Sequence, residues 1–239
     1  MMPLSSKIAL LGVAVAAFWF GSAASPASAQ TRPDRPIPTP EAYKASLPSD
    51  VHPETGNRFP KAKREELDDQ GKKLFDAQPV PPGGTRGGPG SIRIYSPPVA
   101  EAMNMENDYL RNQSGMDPQI KELAILVTVR ELDSQYIWTS HEPQARQAGV
   151  SQAVLDVVKY RRPLTGLAEK EQVIIQLGRE AVGQNKVSSE TFARALKLWG
   201  RQGLVNVVAL MGNYAASAIL LNTFDQQMNP GVTPRLPIP

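Results

Sequence analysis

The hydrophobic positions from Pro97 onward recur with the period of a helix. Val99 to Arg111 reads as one helix. Asp117 followed by Pro118 is an N-cap with proline at the first helical position, opening "PQIKELAILVTVREL". Within it "LAILV" is apolar on every face, which predicts a helix buried all round. Asp133 or Ser134 caps the next helix, which ends at Gly149, a favoured residue just past a helix end. Ser151 starts "SQAVLDVVKY". A helix over Ala168–Gln184 follows the Pro163–Gly166 loop, and Ser188 or Ser189 caps "ETFARALKLWG", closed by Gly200. The last helix, "GLVNVVALMGNYAASAILLNTFDQQ", is mostly apolar, and Gly212, Ala215, Ala216, Ser217 and Ala218 permit close packing. No run alternates with period two, so the fold class expected is all-α.

The chain ahead of these helices has another character. Residues 30–59, "QTRPDRPIPTPEAYKASLPSDVHPETGNRFP" from Gln30 to Phe59 with Pro60 beyond, are rich in proline and are expected to form an extended arm, laid on a partner subunit. "PKAKREELDDQGKKLFDAQ" predicts the first helix, with Asp68–Lys72 and Asp69–Lys73 as i,i+4 pairs. "PVPPGGTRGGPGS" is a loop without the spacing of a phosphate cradle. The domain boundaries expected are a signal peptide over 1–29, the arm over 30–59, a helical domain over 60–228 and a Pro-rich tail over 229–239. The signal peptide rests on Lys7, the apolar run Ile8–Phe20 and the A-x-A-like Ala27-Ser28-Ala29. Thirteen apolar residues fall short of the roughly 20 that span a bilayer. The expectation is therefore export to the periplasm or beyond, with cleavage after Ala29 and no stable membrane insertion afterwards.

Composition narrows the chemistry. Beyond Lys7, the only charge in the leader, 25 basic and 23 acidic side chains remain. So small an excess, mixed in sign along the chain, gives no nucleic-acid groove. The absence of cysteine excludes disulfides, thiol catalysis and iron–sulfur ligation. About 210 residues must then build their own core.

Only two histidines occur, His52 in the arm and His141 in "SQYIWTSHEPQARQAG". On a helix, Ser134, Ile137, Trp138, Ala145 and Ala148 share a stripe with His141, so the ring points with the apolar side chains. A neutral imidazole so placed still needs a partner for a ring nitrogen. Glu122, 19 residues earlier, Tyr136, Arg130, Glu131, Asn213 and Tyr214 are the candidates. One reading is a satisfied core histidine. The other is an acid/base pair in an apolar cavity. No metal or other cofactor is expected, since three ligands cannot be assembled from this spacing, and no G-x-S-x-G supports a serine hydrolase.

The segment "KELAILVTVRELDSQYIWTSHEPQARQAGVSQAVLDVVK", with its "REL" helix end and aromatic-x-Trp-x-x-His-Glu run, resembles the carboxymuconolactone decarboxylase family, related to the alkyl hydroperoxidase D-like proteins. The tail "SSETFARALKLWG…VALMGNYAAS" and the upstream "GSIRIYSPPVAEAMNMENDYLR" carry the likeness over Phe59 to Met228. The resemblance implies an all-helical, alkyl hydroperoxidase D-like bundle assembling as a homo-oligomer, a trimer or hexamer. In the hydroperoxidase branch a C-x-x-C pair precedes the histidine; here those positions are Ser134 and Ile137, so peroxidase activity is not implied. Glu122 and His141 match that branch's proton relay, with Tyr136 in place of a second histidine. The decarboxylase branch needs neither thiol nor cofactor. By resemblance, His141 would be the proton donor and Glu122 its orienting or tuning partner. Tyr136 or Tyr214 would bond a substrate carbonyl, Arg130 would bind a carboxylate and Trp138 would wall the pocket. The function implied is a cofactor-free lyase or isomerase acting on a small carboxylated lactone or related organic acid. The alternative is a non-catalytic binding or assembly protein on the same scaffold.

Overall fold

A computed structural model describes residues 37–77 and 87–238. The leader with its cleavage site, the start of the arm and part of the glycine-rich loop lie outside the described residues. Among the described residues there is no strand, only an isolated bridge between His52 and Asn57.

The helices are α1 (Pro40–Ser46), α2 (Asp69–Ala77), α3 (Pro89–Arg93), α4 (Pro97–Asp108), α5 (Pro118–Glu131), α6 (Gln135–Gln147), α7 (Gln152–Lys159), α8 (Glu169–Gly178) and α9 (Ser189–Thr223). Helix α5 is the axis, packed against α6, α7, α8 and α9. Its apolar run fills the centre: Leu123, Ala124, Ile125, Leu126 and Val127 are each at most 1% exposed. That is the packing expected of a segment with no polar face. Asp117 caps α5 by accepting from the Gln119 amide at 2.8 Å. Ser151 and Ser188 cap α7 and α9 in the same way. Gly178 lets α8 lie close on α5: a Cβ there would stand 2.3 Å from Val127 Cγ1.

The break expected at Gly200 is a kink inside α9, where Gly200 adopts φ 64°, a conformation that costs glycine little. The C-terminal half of α9 is long and apolar enough to cross a membrane. Its inner face, with Leu210, Met211, Ala218 and Leu221, belongs to the central core.

Two expectations for the N-terminal part are corrected. Helix α2 starts only at Asp69, because the Asp68 carboxylate accepts from the Gly71 amide at 2.7 Å and so acts as a cap rather than as a partner of Lys72. The arm, expected to be extended, contains α1, whose Thr39 cap and Pro40 start it as Asp117 and Pro118 start α5. It also folds back on its own chain. Arg58 N donates to Phe224 O at 2.9 Å and Tyr43 Oη to Met228 O at 3.3 Å. The buried Asn57 side chain bonds Ser91 Oγ and Gln226 Oε1, both at 2.9 Å. Arm and tail are thus stapled beside α3. The tail returns to α6, where the Gln135 side chain and the Leu236 backbone exchange two bonds of 2.8 and 2.7 Å.

Two helix ends loosen into single π-turns, Tyr109–Gln113 after α4 and Arg179–Gly183 after α8. The first is closed by Ser114 N donating to Tyr109 O at 2.8 Å, and it carries Arg111. Such turns recur where a side chain must be re-aimed.

Candidate functional site

Helices α5 and α6 bring Glu122 and His141 together. His141 Nδ1 lies 2.8 Å from Glu122 Oε2, and both residues are buried. With the carboxylate accepting at Nδ1, the imidazole is held as the tautomer that leaves Nε2 free. The bond at Nδ1 is the only one the ring makes among the described residues, and His141 lines a cavity of about 260 Å³. Glu122 stands behind the ring, and its other oxygen is 3.5 Å from an Arg111 guanidinium nitrogen.

Pro89, Arg93, Asn107, Arg111, Tyr136 and Ile137 line one part of the cavity, and Ser140, His141, Asn213, Tyr214 and Ser217 the rest. The Tyr214 ring meets His141 edge-on at 5.1 Å. Its hydroxyl accepts from Arg111 at 3.1 Å, which leaves the phenolic proton to donate into the cavity. Burial pushes the Tyr214 phenol up to about 12, against the opposing pull of Arg111, so it stays a neutral donor at ordinary pH. Arg111 is further fixed by Gln144 Oε1 at 3.0 Å. Burial likewise raises Tyr136, although a hydrogen bond with Asn229 of the tail opposes this. Gly88 passes close over that ring: with φ 81°, a Cβ there would lie 2.9 Å from the Tyr136 hydroxyl.

Of the six residues expected at the site, His141, Tyr136 and Tyr214 line the cavity and Glu122 supports it. Trp138 and Arg130 do not. At about 100° per residue, Ile137 and Trp138 flank His141 from opposite sides. Ile137 takes the cavity side. Trp138 is fully buried and donates its indole N–H to Glu142 Oε2 at 2.8 Å. Arg130 lies two turns beyond Glu122 along α5, about 12 Å away along the axis. It donates to Lys159 O at 2.7 Å and pairs with Asp133. The second glutamate of the motif, Glu142, is a structural group. It receives Trp138, Arg146 at 2.6 Å and Lys159 at 2.9 Å.

The sequence reading missed Arg93 and Arg111 as site residues. Neither sits on a periodic stripe: Arg93 ends the five-residue α3, and Arg111 is delivered by the π-turn. Among the described residues no three His, Cys, Asp or Glu side chains gather as metal ligands would.

No protein-family model matches this sequence, and no curated protein sequence matches it. Among solved structures, the chain is similar over most of its length to a crystal structure described as an alkylhydroperoxidase AhpD core, an uncharacterized peroxidase-related protein from Ralstonia eutropha JMP134. The TM-score is 0.55 at 16% identity, over 75% of this chain and 98% of that one. The fold is alkyl hydroperoxidase D-like and all-helical.

Proposed function

We propose that this chain is a cofactor-free lyase or isomerase acting on a small carboxylated lactone or a related organic acid, with His141 as the proton-transfer group. The observation that carries the proposal is the Nδ1 bond of His141 to a buried carboxylate while Nε2 is offered to a cavity. A satisfied core histidine would have no reason to face an open volume with one nitrogen unbonded. A peroxidase reading would need a thiolate nucleophile, and the chain has no cysteine.

The geometry supports a two-step proton economy. Cleavage of the carbon–carboxylate bond releases carbon dioxide and leaves its electron pair in the ring, delocalised to a carbonyl oxygen. Tyr214 donates a hydrogen bond to that oxygen, and Arg111 behind the phenol lowers the cost of the negative charge. His141, protonated at Nε2, then returns a proton to carbon, while Glu122 stabilises the imidazolium that makes this possible. In an isomerisation the same nitrogen would first take the proton and then replace it.

The test is ultraviolet-monitored turnover of γ-carboxymuconolactone and related lactone acids by the purified chain beside His141→Ala. Turnover that vanishes in a folded variant supports the proposal. Turnover undiminished in that variant ends it.

A further inference from the structure

Arg93 presents an unsolved charge. Its Nε is buried and has no hydrogen-bond partner, and no ion pair among the described residues involves it. Residues 78–86, adjoining α3 in sequence, contain no acidic side chain. Burial lowers the affinity of this guanidinium for its proton, and the only group that opposes the effect is Tyr214. Yet arginine keeps its charge in proteins, and a buried donor without an acceptor costs about 1–3 kcal/mol, more when charged. The other arginines near the core are answered: Arg111 by Tyr214, Gln144 and Glu122, and Arg130 by Lys159 O and Asp133. Arg93 alone among these lines the cavity without an acceptor.

We infer that Arg93 is the anion anchor of the cavity, and that the ligand is a small compound whose carboxylate accepts from the Arg93 guanidinium while its reacting carbon faces His141. This rests on the proposed use of the cavity and specifies its substrate class. Two cationic side chains, Arg93 and Arg111, line the cavity. Of the carboxylates beside it, Glu122 is shared by His141 and Arg111, and Glu106 accepts from Asn213 at 2.9 Å. An entering anion therefore meets, at Arg93, a positive charge with no ion-pair partner among the described residues. At about 260 Å³ the cavity lies below the roughly 300–1,000 Å³ of drug-sized sites and suits one five- or six-membered ring with its substituents. A planar guanidinium favours a carboxylate over a neutral carbonyl by charge and by two-point geometry. The acid, not its ester or amide, is the ligand.

The experiment needs no knowledge of the natural substrate. The purified full chain is melted in rising formate, benzoate or 5-oxotetrahydrofuran-2-carboxylate at constant ionic strength, beside Arg93→Gln and Arg93→Lys. Binding of the lactone acid and of its methyl ester is measured by calorimetry. The expected result is carboxylate-dependent stabilisation of the wild type, at least tenfold weaker in Arg93→Gln, partly restored in Arg93→Lys and absent for the ester. Without added anion, Arg93→Gln is expected to melt no lower than the wild type, since it removes an unanswered charge. Three results overturn the inference: an equal carboxylate response in Arg93→Gln, no response to any of the three in the wild type, or an Arg93→Gln chain that fails to fold. His141→Ala separates this inference from the proposed reaction. If formate stabilises both the wild type and His141→Ala through Arg93 while the wild type consumes no lactone acid, or while His141→Ala consumes it undiminished, the anchor stands and the reaction falls. Turnover of a lactone acid unaffected by Arg93→Gln does the reverse.

Discussion

Glu142 follows His141 directly, yet the two do different work, and Glu142→Gln separates them. The Glu142 carboxylate is 2% exposed and receives Lys159 Nζ at 2.9 Å, Trp138 Nε1 at 2.8 Å and Arg146 at 2.6 Å. Burial alone would push this carboxyl up. The bonds from Lys159, Trp138 and Arg146 outweigh it and hold the group below the usual glutamate range. Glutamine keeps the shape but removes the charge. The half-exposed Arg146 can turn to water, so its share is small. Lys159 cannot, with its side chain 11% exposed and its ammonium 5.6 Å from the Trp138 ring. Breaking a buried pair from one side costs about 3–5 kcal/mol. Because the amide oxygen can still accept one bond, the lower end applies: about 3 kcal/mol, or a melting temperature roughly 6–12 °C lower for a chain of this size. Lys159→Met added to Glu142→Gln removes the stranded cation, and the double variant is expected to recover more than half of the loss. Since the folded-state affinity for protons is depressed, the carboxylate's contribution is present above the unfolded value and is lost as pH falls below it. The stability difference between wild type and Glu142→Gln therefore shrinks in acid. Thermal and urea melts across pH measure all of this. A Glu142→Gln chain within about 0.5 kcal/mol of the wild type would refute the reasoning. So would one of full stability but no turnover, which would make Glu142 the relay carboxylate.

Three other perturbations have defined outcomes. Gly178→Ala drives a Cβ to 2.3 Å from a methyl of the fully buried Val127. It is expected to destabilise by about 1–3 kcal/mol despite alanine's better helix propensity, with partial rescue by Val127→Ala in urea melts. Tyr214 has its phenol raised from 10.0 to about 12, so its contribution is complete below pH 10 and is lost as pH rises towards 12, a span worth about 2–3 kcal/mol. Tyr214→Phe should flatten the alkaline limb of the stability profile, read by urea melts together with tyrosinate absorbance. Glu122→Gln should lower kcat on any lactone acid that is turned over by about a hundredfold or more, with the carboxylate response of Arg93 retained in thermal melts.

The helical architecture was open to sequence reading because its signals are local. The caps at Asp117, Ser151 and Ser188, the stop at Gly149 and the break at Gly200 each depend on one or two residues and their own backbone. The Glu122–His141 pair came from the family resemblance together with helix-face geometry. Three kinds of feature were hidden. Helix-face periodicity alone could not choose between Ile137 and Trp138 as the cavity neighbour of His141, because the choice depends on what α5 and α7 present to each side. The π-turn that carries Arg111 leaves no pattern in "MENDYLRNQSG". The short helix α3 and the closing of the arm upon the tail depend on pairings of Asn57 and Gln226 separated by 169 residues, and no local signal encodes those. An arginine with no acidic residue near it in sequence, as in "GSIRIYSPP", was the one available hint to Arg93.

The distribution of unanswered charge distinguishes scaffold from site in this molecule. Around Glu142 each donor has an acceptor, and the surplus cation, Arg146, reaches solvent and Gln152. Around Glu180, Gln176, Ser188 and Thr191 supply every bond the carboxylate accepts. Those clusters hold helices together and ask nothing of a ligand. The cavity differs on three counts. Nε2 of His141 is unbonded, the Tyr214 proton is uncommitted, and Arg93 Nε is buried without an acceptor. The buried Arg93 donor costs stability while it has no acceptor, and the other two groups are open to the cavity. Of the two positions that the sequence resemblance aligns with cysteines, Ser134 is wholly buried with its hydroxyl unpartnered and Ile137 forms cavity wall. Thiol chemistry has no atom to act with at either position, since the chain has no cysteine. An anion whose carboxylate accepts from the Arg93 guanidinium and whose carbonyl accepts from Tyr214 would set a carbon against His141, and a neutral ligand of the same size would leave the Arg93 charge without a counter-ion.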